Sequence, residues 1–386
     1  MRTPDLNWIK DSRVFQVNRL QAYSDHIYTI GKDKKPSSFS LNGTWKFNLS
    51  KNYDSCFKFF YNTEFNDSNW NDIQVPGHIQ LQGFDKPHYT DVTYPWDGHD
   101  VVKPGQIDMD KNKVYQYRKT FDCPQDFMGN RLILSFEGAE SNIYVWLNGK
   151  FIGYSEDSFT PSRFDITKYT QEKDNVLCVR IFQKCTGTWL EDQDMWRFTG
   201  IFRDVMIYKQ PSLHIQDLKI DTDIDLDTNK SVLSCVCKMS SNESHTLQAK
   251  LYDPQGNIVW NRNMQDSFEI PVENTCLWSS EFPNLYQLEL VLYDTNNEII
   301  ETIQEQVGFR KFTLEYGIMK LNGKRIVFHG INRHEWDPKT GRCLSQEQME
   351  YDIHMLKALN INAVRTSHYP NQSYWYKLCD QYGIYV

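Results

Sequence analysis

The stretch that most restricts what this chain can fold into lies near its end, from Ile361 to Val386. Ile361 to Val364 reads as a short apolar strand, and it runs straight into Arg365 and His368. Pro370 then breaks the extended backbone. Trp375, Leu378, Cys379 and Tyr382 recur at i, i+3, i+4 and i+7, the stripe of an amphipathic helix. Gly383 is placed to end that helix, and Ile384-Tyr385-Val386 begins another apolar strand. Strand, helix, strand is the repeat of a parallel α/β architecture. In a (β/α)₈ barrel the site residues stand at the C-terminal ends of the strands, where Arg365 and His368 fall.

The preceding segment repeats the pattern. Leu321-Asn322-Gly323 is a turn, and Arg325 to Gly330 reads as a strand with Asn332-Arg333-His334-Glu335-Trp336 at its end. Ser345 and Gln348 form a capping box, and Met349, Ile353, Leu356 and Leu359 space the face of a helix. At most three of the eight strands of a barrel are accounted for.

Before residue 310 the apolar period is two. Asn142–Leu147 and Lys150–Tyr154 flank Asn148-Gly149, a type I′ hairpin signal. Arg131–Phe136 and Asn175–Phe182 are further strands, and Leu41-Asn42-Gly43 is a turn leading into Thr44–Phe47. Short strands with turn signals and no long helix predict a β-sandwich over 38–208. Pro211 marks a break. Leu213–Ile220, Ser231–Met239, Leu247–Leu251 and Leu288–Tyr293 then alternate again, which suits an immunoglobulin-like sandwich over 209–309. Residues 1–37 are polar with few periodic signals and read as an arm. The last unit, 310–386, is the incomplete barrel.

Composition narrows the partners. A net charge of −8 lacks the basic footprint of a nucleic-acid binder. Nine cysteines without a C-x-x-C pair read as reduced thiols of a cytoplasmic protein. The N-terminus lacks the apolar core of a signal peptide, and no run suits a membrane-spanning helix. Aromatics reach 14%, which core packing explains better than sugar binding does.

The stretch Asn362–Val386 resembles the signature of glycoside hydrolase family 2, in particular its bacterial β-galactosidases and the large subunit of the two-chain lactobacillus type. The similarity extends over nearly the whole chain from Trp8. It implies a jelly-roll sugar-binding domain, an immunoglobulin-like domain and the start of a (β/α)₈ catalytic barrel. It also implies retaining hydrolysis of terminal β-galactosides such as lactose, assisted by magnesium and sodium, in a homo-oligomer or with a partner chain supplying the C-terminal part.

The residues specify which half of such a site is present. Glycosidic cleavage uses two carboxylates flanking the bond. Glu335, Asp337, Glu347, Glu350, Asp352 and Asp380 show no paired pattern. By resemblance the acid/base and nucleophile glutamates and the magnesium ligands fall beyond the position of Val386, so the chain is expected to lack them. His334 and His368 match family histidines that stabilise the transition state at the galactose subsite; satisfied structural hydrogen bonds are the alternative. Arg365 matches an arginine near that subsite, or else pairs with a carboxylate at the barrel mouth.

Two sandwich loops add to this. Trp189-Leu-Glu191-Asp192-Gln193-Asp194-Met195-Trp196-Arg197-Phe198-Thr-Gly200-Ile-Phe202-Arg203 packs acids among large rings, and an acid there suits a sugar hydroxyl or a hard cation. By resemblance Asp194 touches the galactose 6-hydroxyl and a sodium ion. In Tyr89-Thr-Asp91-Val92-Thr-Tyr94-Pro95-Trp96, Asp91 stands where the family has a sugar-binding asparagine. It keeps the acceptor oxygens and loses the amide donor, so a weaker sugar contact is expected. Glu156-Asp157 through Arg163 and Asp165 reads as structural. Two rivals remain. One is a non-catalytic carbohydrate-binding or complementing module, against which an open strand end at Ile384–Val386 argues. The other is a β-glucuronidase or β-mannosidase of the same family.

Overall fold

Asn148 and Gly149 take φ angles of 50° and 76°, the two left-handed residues that a two-residue hairpin turn demands. Leu147 pairs with Lys150 across them. The computed structural model describes residues 3–94, 96, 102–103 and 105–386, so Pro95 of the Asp91 loop lies outside the described residues. The hairpin belongs to a seven-stranded sheet in the order Gln16–Val17, Lys150–Ser155, Ile143–Leu147, Asn175–Phe182, Val114–Phe121, Gly43–Ser50, Asn71–Val75. A four-stranded sheet, Ser162–Asp165, Arg131–Phe136, Val205–Gln210 and Ser38–Ser40, supplies the second layer. Trp45, Phe47, Tyr117, Phe136, Leu147 and Phe164 fill the core these strands enclose. Each such side chain contributes about 1.5–3 kcal/mol by leaving water.

Asn42-Gly43 does more than turn the chain. Ser38–Ser40 lies in one layer and Gly43–Ser50 in the other, so the pair is the crossover between sheets. Asn42 fixes it by donating to Asp204 at 2.8 Å and accepting from the Val205 amide at 3.0 Å.

The second sandwich stacks Ile215–Asp225, Lys230–Met239 and Ser267–Glu273 against a six-stranded sheet. Leu233, Cys235, Leu251, Ile270, Leu290 and Ile303 form its core. The residues read as an arm are built into both sandwiches. Gln16–Val17 pairs with Tyr154–Ser155 of the first, and Tyr28–Ile30 pairs with Glu301–Ile303 of the second. Two- and three-residue strands carry too little periodicity to be visible in sequence; pairing to an existing edge creates them. All nine cysteines are free thiols, and the Sγ atoms of Cys235 and Cys237 lie 3.8 Å apart on one strand face.

The last segment begins with a small antiparallel meander, Phe312–Glu315, Ile318–Leu321 and Lys324–Arg325. The strand expected over 325–330 is displaced. Lys324–Arg325 closes the meander, and the parallel strand is Gly330–Arg333, paired in register with Ala363–Thr366. Gly330 lies so close to Ala363 that a Cβ there would meet it at 3.2 Å, which explains why a glycine opens the strand. Gln346–Ala358 and Ser373–Tyr382 are the helices. The Ser345 hydroxyl accepts from the Gln348 amide at 3.3 Å, and the Ser345 amide donates back to Gln348 at 2.8 Å. Met349, Ile353 and Leu356 are buried, whereas Leu359 is 64% exposed because the helix ends before it. Gly383, with φ of 69°, caps the second helix, and Tyr385 bridges Ala363 in parallel. No closed barrel is formed among the described residues.

Candidate active site

Parallel strands paired in register end at the same level. Arg333 therefore pairs with Thr366, and the residues just beyond, His334 and His368, meet with ring centroids 5.3 Å apart at 85°. Partial burial pushes the His334 pKa below its usual value, and the neighbouring His368, Arg342 and Arg365 act in the same direction, while Asp194 opposes them. His334 is thus a neutral imidazole at neutral pH, able both to donate and to accept. Arg365 is exposed, and its guanidinium donates to the Ser367 hydroxyl at 3.2 Å.

Across from this rim stands a two-stranded ribbon of the first sandwich, His88–Thr90 against Met195–Arg197, with Trp196 opposite Tyr89. The Tyr89 hydroxyl donates to the Asp194 carboxylate, which raises the phenol's pKa. Arg197 braces the ribbon through an ion pair to Asp192 and a bond to the Thr90 hydroxyl at 3.1 Å. Glu191, one residue before Asp192, is not available to a ligand. The Ser158 amide and hydroxyl bind its two oxygens at 2.9 and 2.6 Å, and burial pushes its pKa up to about 8.

Ribbon and rim share one cavity of about 370 Å³, lined by Tyr89, Asp194, Trp196, His334, Trp336 and Arg342 over Tyr369. Asp194 and His334 are thereby brought together, with His368 against His334. Asp91 follows Thr90 as an exposed residue near Tyr89, whose phenol feels its charge, and Asp91 and Arg365 stand outside the cavity's lining.

Two arginines hold the two faces in place, Arg342, which sequence reasoning passed over, and Arg203, to which it gave no role. Arg342 is 1% exposed. It pairs with Glu140 of the sandwich, donates to the Trp196 carbonyl at 2.9 Å, and its amide donates to His78 at 3.0 Å. Phe159, Phe198, Phe202 and Tyr369 surround its guanidinium at 5.4–5.5 Å. Arg203 reaches from the sandwich to Glu335 at 2.8 Å, the Pro370 carbonyl at 2.7 Å and the Phe159 carbonyl at 2.6 Å. Glu335 is fully buried and also accepts from the Gln372 amide at 2.9 Å. It is a docking group, turned away from the cavity. No sequence pattern announces these pairs, since their partners lie 132 and 202 residues away.

The Glu156–Asp165 segment is structural. Glu156 accepts from Tyr154, from Thr186 at 2.8 Å and from the Gly187 amide at 2.7 Å. Asp157 pairs with Arg19, and Arg163 with Asp25. Phe159, on the same loop, stacks on Tyr369 of the barrel segment at 4.7 Å.

Three family comparisons tile the chain. Residues 39–211 match the glycosyl hydrolases family 2 sugar binding domain, 213–310 match glycosyl hydrolases family 2, and 312–386 match the family's TIM barrel domain. The chain is 48% identical to a beta-galactosidase of Halalkalibacterium halodurans, over 99% of this chain and 39% of that protein. It is 44% identical to a beta-galactosidase of Clostridium acetobutylicum, again over 99% of this chain and 44% of the relative. With the beta-galactosidase large subunit of Leuconostoc lactis it shares 42% identity over 99% of this chain and 64% of that subunit. The chain thus spans about two fifths of the first two relatives. A Ruminococcus gnavus β-glucuronidase shares the fold, with a TM-score of 0.74 at 20% identity over 95% of this chain and 59% of that one. Three successive matches to parts of one family, together covering the chain almost from end to end, place it: the chain belongs to glycosyl hydrolases family 2.

Proposed function

We propose that this chain is the sugar-holding part of a cytoplasmic retaining β-galactosidase that hydrolyses terminal β-galactosides such as lactose. The observation that carries this reading is the single cavity in which Asp194 of the sandwich faces His334 of the barrel rim, with His368 beside it. The 40–48% identical relatives named as beta-galactosidases support it. His334, neutral at neutral pH, hydrogen-bonds ring hydroxyls, and such bonds strengthen as the ring distorts toward an oxocarbenium ion. His368 adds a second group at the same rim, and Arg365 and Asp91 contact the sugar from the cavity's margin. Asp194 accepts from a galactose hydroxyl through the oxygen that Tyr89 does not occupy.

The two carboxylates that cleave the bond come, in this reading, from residues outside this sequence, on the same polypeptide or on a partner chain. Asp194 offers one anionic oxygen to a sodium ion. In this reading, as the family resemblance implies, further sodium oxygens and the magnesium ligands come from residues outside this sequence. A bound cation would fix the 6-hydroxyl end of the sugar. The division into an arm at 1–37, a jelly roll at 38–208, an immunoglobulin-like sandwich at 209–309 and the barrel start at 310–386, with assembly as a homo-oligomer or with a partner chain, completes the proposal.

A panel of nitrophenyl glycosides given to the full-length protein, with its partner chain where one exists, tests this. Galactoside cleavage with retention is expected. Cleavage of the glucuronide or mannoside without the galactoside refutes it.

A further inference from the structure

A second cavity, of about 440 Å³, opens at the junction of the sandwich and the barrel segment. His78, Leu81 and Phe202 line it from the sandwich, and Cys343 and Leu344 from the barrel segment. None of these five lines the cavity that holds Asp194 and His334. Ligand sites run to roughly 300–1,000 Å³, often lie between domains, and join apolar walls to a few polar groups. This cavity has the size, the place and the walls.

Its polar group is His78. The residue is 1% exposed, and its ring stacks on Phe198 at 4.4 Å and on Phe202 at 5.5 Å. The Arg342 amide donates to Nε2 at 3.0 Å, so Nε2 carries no proton. Burial, with the charge of Arg342, holds the imidazole neutral by lowering its pKa well below the ordinary value. The ring proton therefore sits on Nδ1. That Nδ1–H has no partner among the described residues. A buried donor without an acceptor is costly, and each such group in a folded protein calls for an explanation. The Nε–H of Arg203, a residue 5% exposed that lines the same cavity, is a second donor without a partner.

The charges around the cavity decide what kind of acceptor it suits. Arg203 is neutralised by Glu335 at 2.8 Å. Lys339 and Asp204, both exposed, contribute one charge of each sign. With a neutral imidazole and no net charge, the lining offers a carboxylate or an ammonium group little to offset its lost hydration. An uncharged oxygen acceptor carries a much smaller hydration penalty and still satisfies the donor.

We propose that this cavity is a second ligand site, separate from the sugar site, for a small uncharged molecule with an apolar body and an acceptor oxygen. The body lies against Leu81, Phe202 and Leu344, and the oxygen accepts from His78 Nδ1–H. The same imidazole holds the Arg342 amide, so the bound molecule contacts the residue that fixes the Arg342 segment.

Cyclohexanone is the probe, and cyclohexanecarboxylate is its charged counterpart. Saturation-transfer NMR on the full-length protein, with its partner chain where one exists, reads binding without cleavage, so the outcome stands whether or not the galactosidase reading holds. Saturable binding of cyclohexanone is expected, with a dissociation constant on the order of 1–10 mM for so small a ligand, and weaker binding of the carboxylate. Leu81→Trp fills this cavity alone and should abolish saturable binding. His78→Phe keeps the stacked ring and removes the donor, and should weaken binding roughly five- to tenfold, the effect of one hydrogen bond. Leu81 is 37% exposed and makes no buried polar contact, so Leu81→Trp locates the site even if His78→Phe, which also strips the acceptor from the Arg342 amide, fails to fold. No saturable binding to the wild type, undiminished binding to Leu81→Trp or to folded His78→Phe, or tighter binding of the carboxylate overturns the proposal.

Discussion

The junction between the sandwich and the barrel rim rests on Arg203 and Glu335, and removing either should cost more than any surface change. Their side chains are 4% and 0% exposed, with 2.8 Å between the charged atoms. Arg203→Ala strips three hydrogen bonds, to Glu335, Pro370 and Phe159, and leaves a carboxylate buried without its counter-ion. Breaking a buried pair in this way costs about 3–5 kcal/mol. Glu335→Gln keeps one acceptor oxygen, which serves either the Gln372 amide or Arg203, and turns an NH2 donor on the other, so its cost should be about 1–3 kcal/mol, that of a buried donor left without an acceptor. The double variant Arg203→Ala/Glu335→Ala removes the orphaned charge as well. Its cost should fall short of the sum of the two single alanine changes, Arg203→Ala and Glu335→Ala, by about 2–3 kcal/mol.

Urea unfolding of the wild type, Arg203→Ala, Glu335→Ala, Glu335→Gln and the double variant measures this. Hydrogen exchange resolved along the chain would follow the barrel segment apart from the sandwiches, since a chain of several domains need not unfold in one step. Additive single-variant costs, or an Arg203→Ala cost below about 1 kcal/mol, would refute the reasoning. The pair would then be incidental to domain docking, and the position of His334 relative to Asp194 would need another cause.

Other consequences follow from single residues. His334→Phe should lower kcat/KM on a galactoside by about 10²–10³-fold through lost hydrogen bonding at the ring, measured in the full-length protein. Because burial lowers the His334 pKa, its contribution to stability is present above the unfolded value near 6.5 and is lost as pH falls below it; unfolding midpoints of wild type and His334→Gln should diverge over that window. Glu301 behaves oppositely. Burial lifts its pKa from 4.5 to about 8, so the wild type should lose up to about 5 kcal/mol relative to Glu301→Gln as pH rises between those values, with no change in their difference below 4.5. Gly383→Ala should cost about 2 kcal/mol or more, because φ is 69° and the new Cβ would lie 2.4 Å from the Ser280 carbonyl oxygen. Asp91→Asn restores an amide donor at the cavity margin, and a severalfold lower KM for galactosides is expected.

How far the chain could be read from its sequence depended on how local the determinant was. The Asn148-Gly149 hairpin, the Ser345–Gln348 capping box and the Gly383 helix stop are written in adjacent residues, and each stands where its chemistry places it. The parallel strand was harder. Arg325–Gly330 is apolar enough to read as a strand, but its first residue is claimed by the meander, and only contact with Ala363–Thr366 decides where the barrel strand starts. The short strands at Gln16–Val17 and Tyr28–Ile30 exist because other edges were open to them.

The site divides along the same line. His334 and His368 stand out in sequence as candidates because they fall at strand ends of a parallel barrel, and Asp194 because acids and rings crowd one short loop; the structure brings Asp194 and His334 to one cavity, with His368 against His334. Glu335 looks like a candidate acid by position, next to His334, yet the alternation at the strand end sends it inward to Arg203. Arg342 carries no signal at all, although it ties the Asp194 ribbon to the rim through the Trp196 carbonyl and is shielded by four aromatic rings. A chain whose candidate site is built from two domains must fix the distance between them. Here buried charge does so on both sides of the cavity, with Arg342–Glu140 behind the ribbon and Arg203–Glu335 beneath the rim. Solvent-exposed pairs would be too weak for that task, at about 0–1 kcal/mol each, which is why the residues that set the geometry of the site are among the least exposed in the molecule.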